Sequence, residues 1–180
     1  MLTIVIPESE LFDQTTNEFI TIKEQTLVME HSLVSVAKWE SKWRKSFLNS
    51  RERTWEETID YYRCMTITKN VNPIVYRNID PASAKQIRKY IEDPMTATTF
   101  RNQDGPTGRQ EIITAEIIYY WMVSYNIPFE CQKWHLNRLL ALINVCGIKA
   151  SPEKKMSQEA VYNQNRELNE LRKRQLHSKG

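Results

Sequence analysis

Apolar positions are densest between residues 110 and 147, QEIITAEIIYYWMVSYNIPFECQKWHLNRLLALINVCG, and their spacing predicts two helical runs hinged at Asn126-Ile127-Pro128. In the first run, residues 112–125, Ile112, Ile113, Ile117, Ile118, Tyr120, Trp121, Met122 and Val123 leave almost no polar direction around the helix axis. A helix apolar all round belongs inside a protein or a membrane. This run is too short to span a bilayer and is interrupted by Glu111, Glu116 and Ser124, so a buried core helix is expected. The second run places Phe129, Leu136, Leu139, Leu140, Ile143 and Cys146 on one face, with Pro128 in its first turn and Gly147 at its C-terminal stop.

Upstream the pattern changes period. Leu2 to Ile6 is a short β-branched run stopped by Pro7, and Glu18 to Glu24 alternates Phe19, Thr21 and Lys23 with Ile20 and Ile22, so the two runs are expected to pair antiparallel. Residues 26–29 extend the second strand or start a third. Ser32 is a plausible N-cap for a helix to about Phe47, buried through Leu33, Val36, Trp43 and Phe47 with Ala37 and Trp39 beside them. Thr54 followed by Glu57 forms a capping box for a helix that fades near Thr68. Asp80-Pro81 opens another, to about Glu92, with Ala84, Ile87 and Ile91 as its stripe. Periodicity is lost over residues 93–109, whose prolines, glycines and Asp-Gly turn mark a long loop of the kind that orders on binding. Ser157 can cap a last helix to about Leu176, with Val161, Leu168 and Leu171 as a narrow seam that wants a partner surface.

The fold class predicted is α+β, mainly helical: a small N-terminal antiparallel strand pair and a five- to six-helix body around the central helical hairpin. One globular domain is expected over residues 1–150, divided into the strand pair (1–30) and the helical body (31–150), with a C-terminal helical arm over 151–180. Composition adds limits. At 180 residues with 41 % hydrophobic and 26 % charged, the chain can build one real core, and only four glycines argue against phosphate-cradling loops. A net charge of +3 makes no case for a polyanion partner. Cys64, Cys131 and Cys146 are odd in number and widely spaced, which reads as free thiols in a reducing compartment; with no secretory pattern, the chain is expected to stay in the cytoplasm in which it is made.

No motif for bond-making emerges. Cys131 and His135, four apart on a helix, could face one ligand, but a zinc site wants about four ligands. Glu116 on an apolar face reads as a paired carboxylate rather than a general base. Gly-x-Ser-x-Gly and both glycine-rich phosphate loops are absent. No enzyme, cofactor or metal is expected. Residues 38–53 interleave basic side chains with Trp39, Trp43 and Phe47, a pattern that suits single-stranded nucleic acid, yet the same aromatics fall on the helix's inward stripe, which disfavours that use.

Four phrases, EHSLVSVAKWESKW (30–43), DYYRCMTITKNV (60–71), EDPMTATTF (92–100) and EIIYYWMVSYNIPFECQKWHLNRLL (116–140), resemble a family of small tail-morphogenesis proteins of long-tailed bacteriophages and prophages. The resemblance runs nearly the whole length and is greatest to tail assembly chaperones. It implies a non-enzymatic protein of the bacterial host cytoplasm that binds the tape-measure protein, tail-tube subunits or both. A virion structural component at the neck or tail is the alternative, and a nucleic-acid-binding or host-directed phage protein the third. No membrane partner is implied, and self-association stays open. If a partner surface exists, Trp39, Trp43, Met95, Phe100, Leu168, Leu171 and Arg172 are the residues expected to form it.

Overall fold

The structure, a computed structural model, describes residues 1–13, 17–50, 52–99 and 112–150, together with Tyr162, Arg166, Leu168, Asn169 and Arg172. The fold is α+β and mainly helical. The chain divides into two compact units, Met1–Gly147 and Ile148–Gly180. In the second, the described residues from Tyr162 onward are helical, and both Tyr162 and Leu168 are exposed.

The first unit begins with four strands: β1 (Leu2–Ile6), β2 (Ser9–Asp13), β3 (Glu18–Ile22) and β4 (Gln25–Met29). They form two antiparallel pairs, one nested inside the other. β1 pairs with β4 in the register Leu2↔Met29 to Ile6↔Gln25, and β2 pairs with β3 from Ser9↔Ile22 to Asp13↔Glu18. The expected partner of Leu2 to Ile6, the 18–24 run, is therefore corrected: that run pairs with β2, and Leu2 to Ile6 takes 25–29. Alternation explains the choice, because Ile4 and Ile6 on β1 and Leu27 and Met29 on β4 are all buried and so line one core face. The inner hairpin instead ends on an exposed Phe12–Phe19 cross-strand pair, ring centroids 5.1 Å apart. The far side of β4 is also covered. Ile67 N–H donates to Val28 O (2.8 Å), Glu30 N–H to Met65 O (2.9 Å) and Val28 N–H to the Thr68 hydroxyl (2.8 Å), so little of this edge is left unpaired.

Helix α1 (Leu33–Trp43) is capped by Ser32, whose hydroxyl accepts from Ser35 N–H (3.3 Å), and stops at Arg44, which takes a left-handed φ of 55°. It is shorter than the periodicity to Phe47 suggests, because the chain turns there so that Phe47 N–H reaches back to the Glu40 carboxylate (2.7 Å). Helix α2 (Trp55–Met65) has the expected capping box: Glu57 N–H donates to Thr54 Oγ1 (3.2 Å), and Thr54 N–H donates to Glu57 Oε2 (2.9 Å). Replacing Thr54 with alanine is expected to remove about 1 kcal/mol of stability, read as a lower urea midpoint with an unchanged slope. A 3-10 turn over Pro73–Asn78 leads to α3 (Pro81–Glu92), whose cap Asp80 accepts from both Ala82 N–H (2.7 Å) and Ser83 N–H (2.9 Å).

Helix α4 (Ala115–Ser124) and α5 (Leu136–Ala150) are the central pair. The hinge is a Schellman ending: Asn126 is left-handed (φ 52°), its N–H donates to Val123 O (3.1 Å), and Ile127 N–H donates to Met122 O (2.8 Å) with Ile127 buried. Three expectations for this pair need correction. Only one face of α4 is interior, through Ala115, Ile118 and Met122, because α1 packs against a single side of it, and Tyr120 and Val123 stay in water. Pro128 opens not α5 but a 3-10 turn, Phe129–Lys133, and α5 begins only at Leu136. The delay has a tertiary cause: Leu136 N–H is taken by His31 O (2.7 Å) and Ser32 bridges His135, so the start of α5 is pinned to the entry of α1. Gly147 does not stop the helix, which continues to Ala150. A Cβ there would come within 3.1 Å of the Tyr125 hydroxyl, so glycine serves close packing of Tyr125 against α5.

The core runs continuously from Ile4, Leu27 and Met29 under the strands through Leu33, Val36 and Trp39 of α1 to Ile118, Met122, Leu136 and Leu139. Among the described residues no helix is long and apolar enough to cross a membrane.

Candidate interaction surface

The residues expected to meet a partner have separate fates. Trp39 is fully buried and its indole N–H donates to Glu57 O (2.8 Å), so it offers no surface; its expected role is corrected to core packing. Trp43 is half-buried, with its N–H on Asp60 Oδ2 (2.9 Å). Met95 is exposed in a left-handed turn (φ 49°) that Asp93 Oδ1 closes by accepting its N–H (2.8 Å). Leu168 and Arg172 are helical and exposed in the second unit. Phe100, Leu171, Ser157 and most of the expected binding loop lie outside the described residues.

The basic stretch after Trp39 is largely spoken for. Lys42 Nζ lies 2.5 Å from Asp60 Oδ1 and Lys45 Nζ 2.5 Å from Glu57 Oε1. The Lys45 bond, with Thr54 N–H on the other oxygen, holds the Glu57 carboxyl below its usual range. The Arg53 guanidinium lies over Phe47, its Cζ 3.8 Å from the ring centroid. Trp39 and Phe47, which would stack bases, are thus in the core with Trp43 half-buried beside them, and two of the lysines that would pair phosphates face carboxylates.

His31 and His135 meet where sequence spacing pointed elsewhere. Their rings are 5.0 Å apart, edge to face, both buried where the entry to α1 meets the start of α5. His31 Nδ1 shares a 2.5 Å hydrogen bond with the Tyr61 hydroxyl, and His135 Nε2 bonds Tyr90 O (2.9 Å). Tyr90 in turn donates to the buried Glu30 carboxylate. Burial first, then the His135 and Arg53 charges, push His31 down to about 3, so it is neutral at pH 7. Burial likewise pushes the Tyr61 phenol well up. His135 Nδ1 is buried with no hydrogen-bond partner. The group acts as a polar rivet between α1, α2, α3 and α5. Cys131, also buried, adds no ligand set: among the described residues no three His, Cys, Asp or Glu side chains converge on a metal position. Cys64 is a poor nucleophile, its thiol pushed up to about 11 by burial and Asp60.

Exposed apolar side chains occur at several places on the described surface, Phe19 and Trp55 among them, and one set lies on the outer side of the central pair. Ile112, Tyr120, Val123 and Phe129 are 63, 68, 59 and 54 % exposed. On α4 the helical repeat puts Tyr120 and Val123 on the side opposite Ile118 and Met122. Phe129 lies beside the helix, its ring 6.4 Å from that of Tyr119, whose hydroxyl donates to Gln132 Oε1 (2.8 Å). On the flank of the same helix a groove of about 410 Å³ runs between α4 and α5, floored by Trp121, Tyr125, Leu140 and Ile143. The sequence reading missed this surface because it counted every apolar residue of α4 as core. The outward residues Glu116 and Ser124, which break the apolar run, were the available signal.

The architecture and this face define the class only coarsely, as a small, mainly helical α+β protein with one apolar helix side left open. Comparison of the chain with known protein families, with curated proteins and with solved structures finds no match.

Proposed function

We propose that the protein is a non-enzymatic tail assembly chaperone of a long-tailed bacteriophage or prophage, acting in the host cytoplasm by holding an apolar helical segment of the tape-measure protein, or a tail-tube subunit, during tail morphogenesis. The observation that carries it is the outer side of α4: Tyr120 and Val123 in water on a helix with an apolar groove along its flank. Large apolar side chains grouped in this way mark interaction sites, and an amphipathic helix laid in a groove is the capture mode such a surface suits. The resemblance of residues 116–140 to tail-morphogenesis proteins supports the choice of partner.

Co-expression with a candidate tape-measure protein, followed by pull-down, tests the proposal. Wild type is expected to bring the tape-measure protein into the soluble fraction, and Tyr120→Glu/Val123→Glu to lose it. Because both side chains are already solvated, the double variant is expected to melt within a few degrees of wild type. Failure of wild type to form a complex, or full capture by the variant, sinks the assignment. The alternative, a structural component of the virion, predicts the protein in mass spectra of purified particles, where a chaperone is absent.

A further inference from the structure

A second feature lies on another part of the body. A cavity of about 310 Å³ opens where α2, α3 and the segment between α1 and α2 meet. Arg53 and Arg88 both line it. Arg53 lies over the Phe47 ring and, among the described residues, gives one hydrogen bond, from a terminal nitrogen to Phe47 O (2.5 Å), out of the five N–H donors a guanidinium carries. Among the described residues no carboxylate lies within ion-pair distance of either arginine. Desolvation pulls Arg53 below its ordinary range, against the opposing influence of Tyr61 and Glu57.

The rest of the lining narrows the ligand. Glu92, one helical turn beyond Arg88, also borders the cavity, and Glu57, whose charge favours that of Arg53, is already held by Lys45. Among the lining residues two cations thus stand against one carboxylate, which leaves room for one further negative charge. Phe47 and Ile91 supply apolar wall, and Thr58 and Tyr62 supply hydroxyls. The volume is at the small end of ligand sites, which run from about 300 to 1,000 Å³. A planar guanidinium fork suits a planar carboxylate.

We propose that this cavity is a binding site for a small monocarboxylate with an apolar or aromatic body, its carboxylate between Arg53 and Arg88 and its body against Phe47 and Ile91. This stands independently of the chaperone assignment, which rests on α4.

The probe is sodium benzoate, titrated into the full chain and followed by amide NMR shifts and by melting temperature, against sodium chloride at equal ionic strength. Saturable shifts are expected at residues around Arg53, Tyr62 and Arg88, with a rise in melting temperature. Benzamide, the same body without the charge, is expected to give neither. Arg88→Gln is expected to weaken benzoate by about tenfold, as loss of one charged hydrogen bond implies. Arg88 is exposed and makes no hydrogen bond among the described residues, so this variant is expected to fold as wild type. Arg53→Gln is expected to weaken binding more, with some cost in stability from the lost bond to Phe47 O. An absence of saturable shifts, an equal response to benzamide, or undiminished benzoate binding by Arg88→Gln overturns the site. Tighter binding of inorganic phosphate than of benzoate overturns the choice of a monocarboxylate.

Discussion

Replacing Glu40 with alanine is expected to cost on the order of 3 kcal/mol of folding stability, a large share of what a domain of this size has. Glu40 is buried on α1, and its two carboxylate oxygens do separate work. Oε1 accepts Phe47 N–H (2.7 Å), which fixes the turn that ends α1. Oε2 accepts Ala115 N–H (2.7 Å), at the first turn of α4. The N-cap of α4, Thr114, makes no side-chain capping bond, so a carboxylate from another helix serves as its cap. Alanine would leave both N–H groups buried without an acceptor and free the start of the apolar helix that carries the proposed interaction face. Glutamine keeps one acceptor oxygen but turns an NH2 group toward the other donor, so its loss is expected to fall between wild type and alanine. Urea unfolding of the three proteins measures this. A loss below about 1 kcal/mol for alanine would mean that water replaces the carboxylate and that α4 does not depend on it.

That bond also marks how far the sequence could be read. Signals confined to one turn of chain were legible: Ser32 before α1, Thr54 with Glu57 before α2, and Asp80 with Pro81 before α3 all cap where their spacing places them. Each is a side chain meeting backbone two or three residues away, so sequence distance and spatial distance agree. Glu40 and Ala115 are far apart in the chain, and nothing local in KWESKW distinguishes this glutamate from a solvated one. The same limit hid the pairing of β1 with β4 and the meeting of His31 with His135, whereas Cys131 and His135 drew notice only because they are one helical turn apart. Gly147 was misread for a related reason: glycine near a helix end is usually a stop, and only the position of Tyr125 gives it another role. For the candidate surface, the sequence located the apolar helix but not its exposed side, since hydrophobicity measures what could be buried and not how much partner surface the body supplies. The cavity between α2 and α3 was illegible altogether. Its two arginines come from different elements and carry no motif.

Lowering the pH from 7 to 5 is expected to remove about 2 kcal/mol of stability through His31 alone. The folded-state pKa of His31, about 3, lies below its unfolded value of 6.5, because burial and the neighbouring His135 and Arg53 disfavour the imidazolium. The unfolded chain therefore takes up a proton as pH falls below 6.5 while the folded chain stays neutral, so the stabilisation present above 6.5 is lost progressively down to about 3. Above pH 5 few carboxylates titrate, Glu57 being held below its usual range, so the upper part of this window reports imidazole. The groups facing the pair come from every packed element: Tyr61 from α2, Tyr90 from α3, Glu30 from the end of β4, and Arg53 over Phe47. Glu30 takes the Tyr90 hydroxyl on one oxygen and the Met1 ammonium on the other (3.3 Å), and among the described residues no carboxylate hydrogen-bonds the His31 imidazole to compensate its charge. Urea midpoints at pH 7, 6 and 5 should fall for wild type. His31→Gln, which keeps a hydrogen-bonding group near the Tyr61 hydroxyl, should start lower at pH 7 but fall by about 2 kcal/mol less over the same interval. Parallel pH profiles for the two proteins would show that His31 titrates normally in the fold. The histidine pair would then be open to water, and the rivet joining α5 to the entry of α1 would not be the dry contact described.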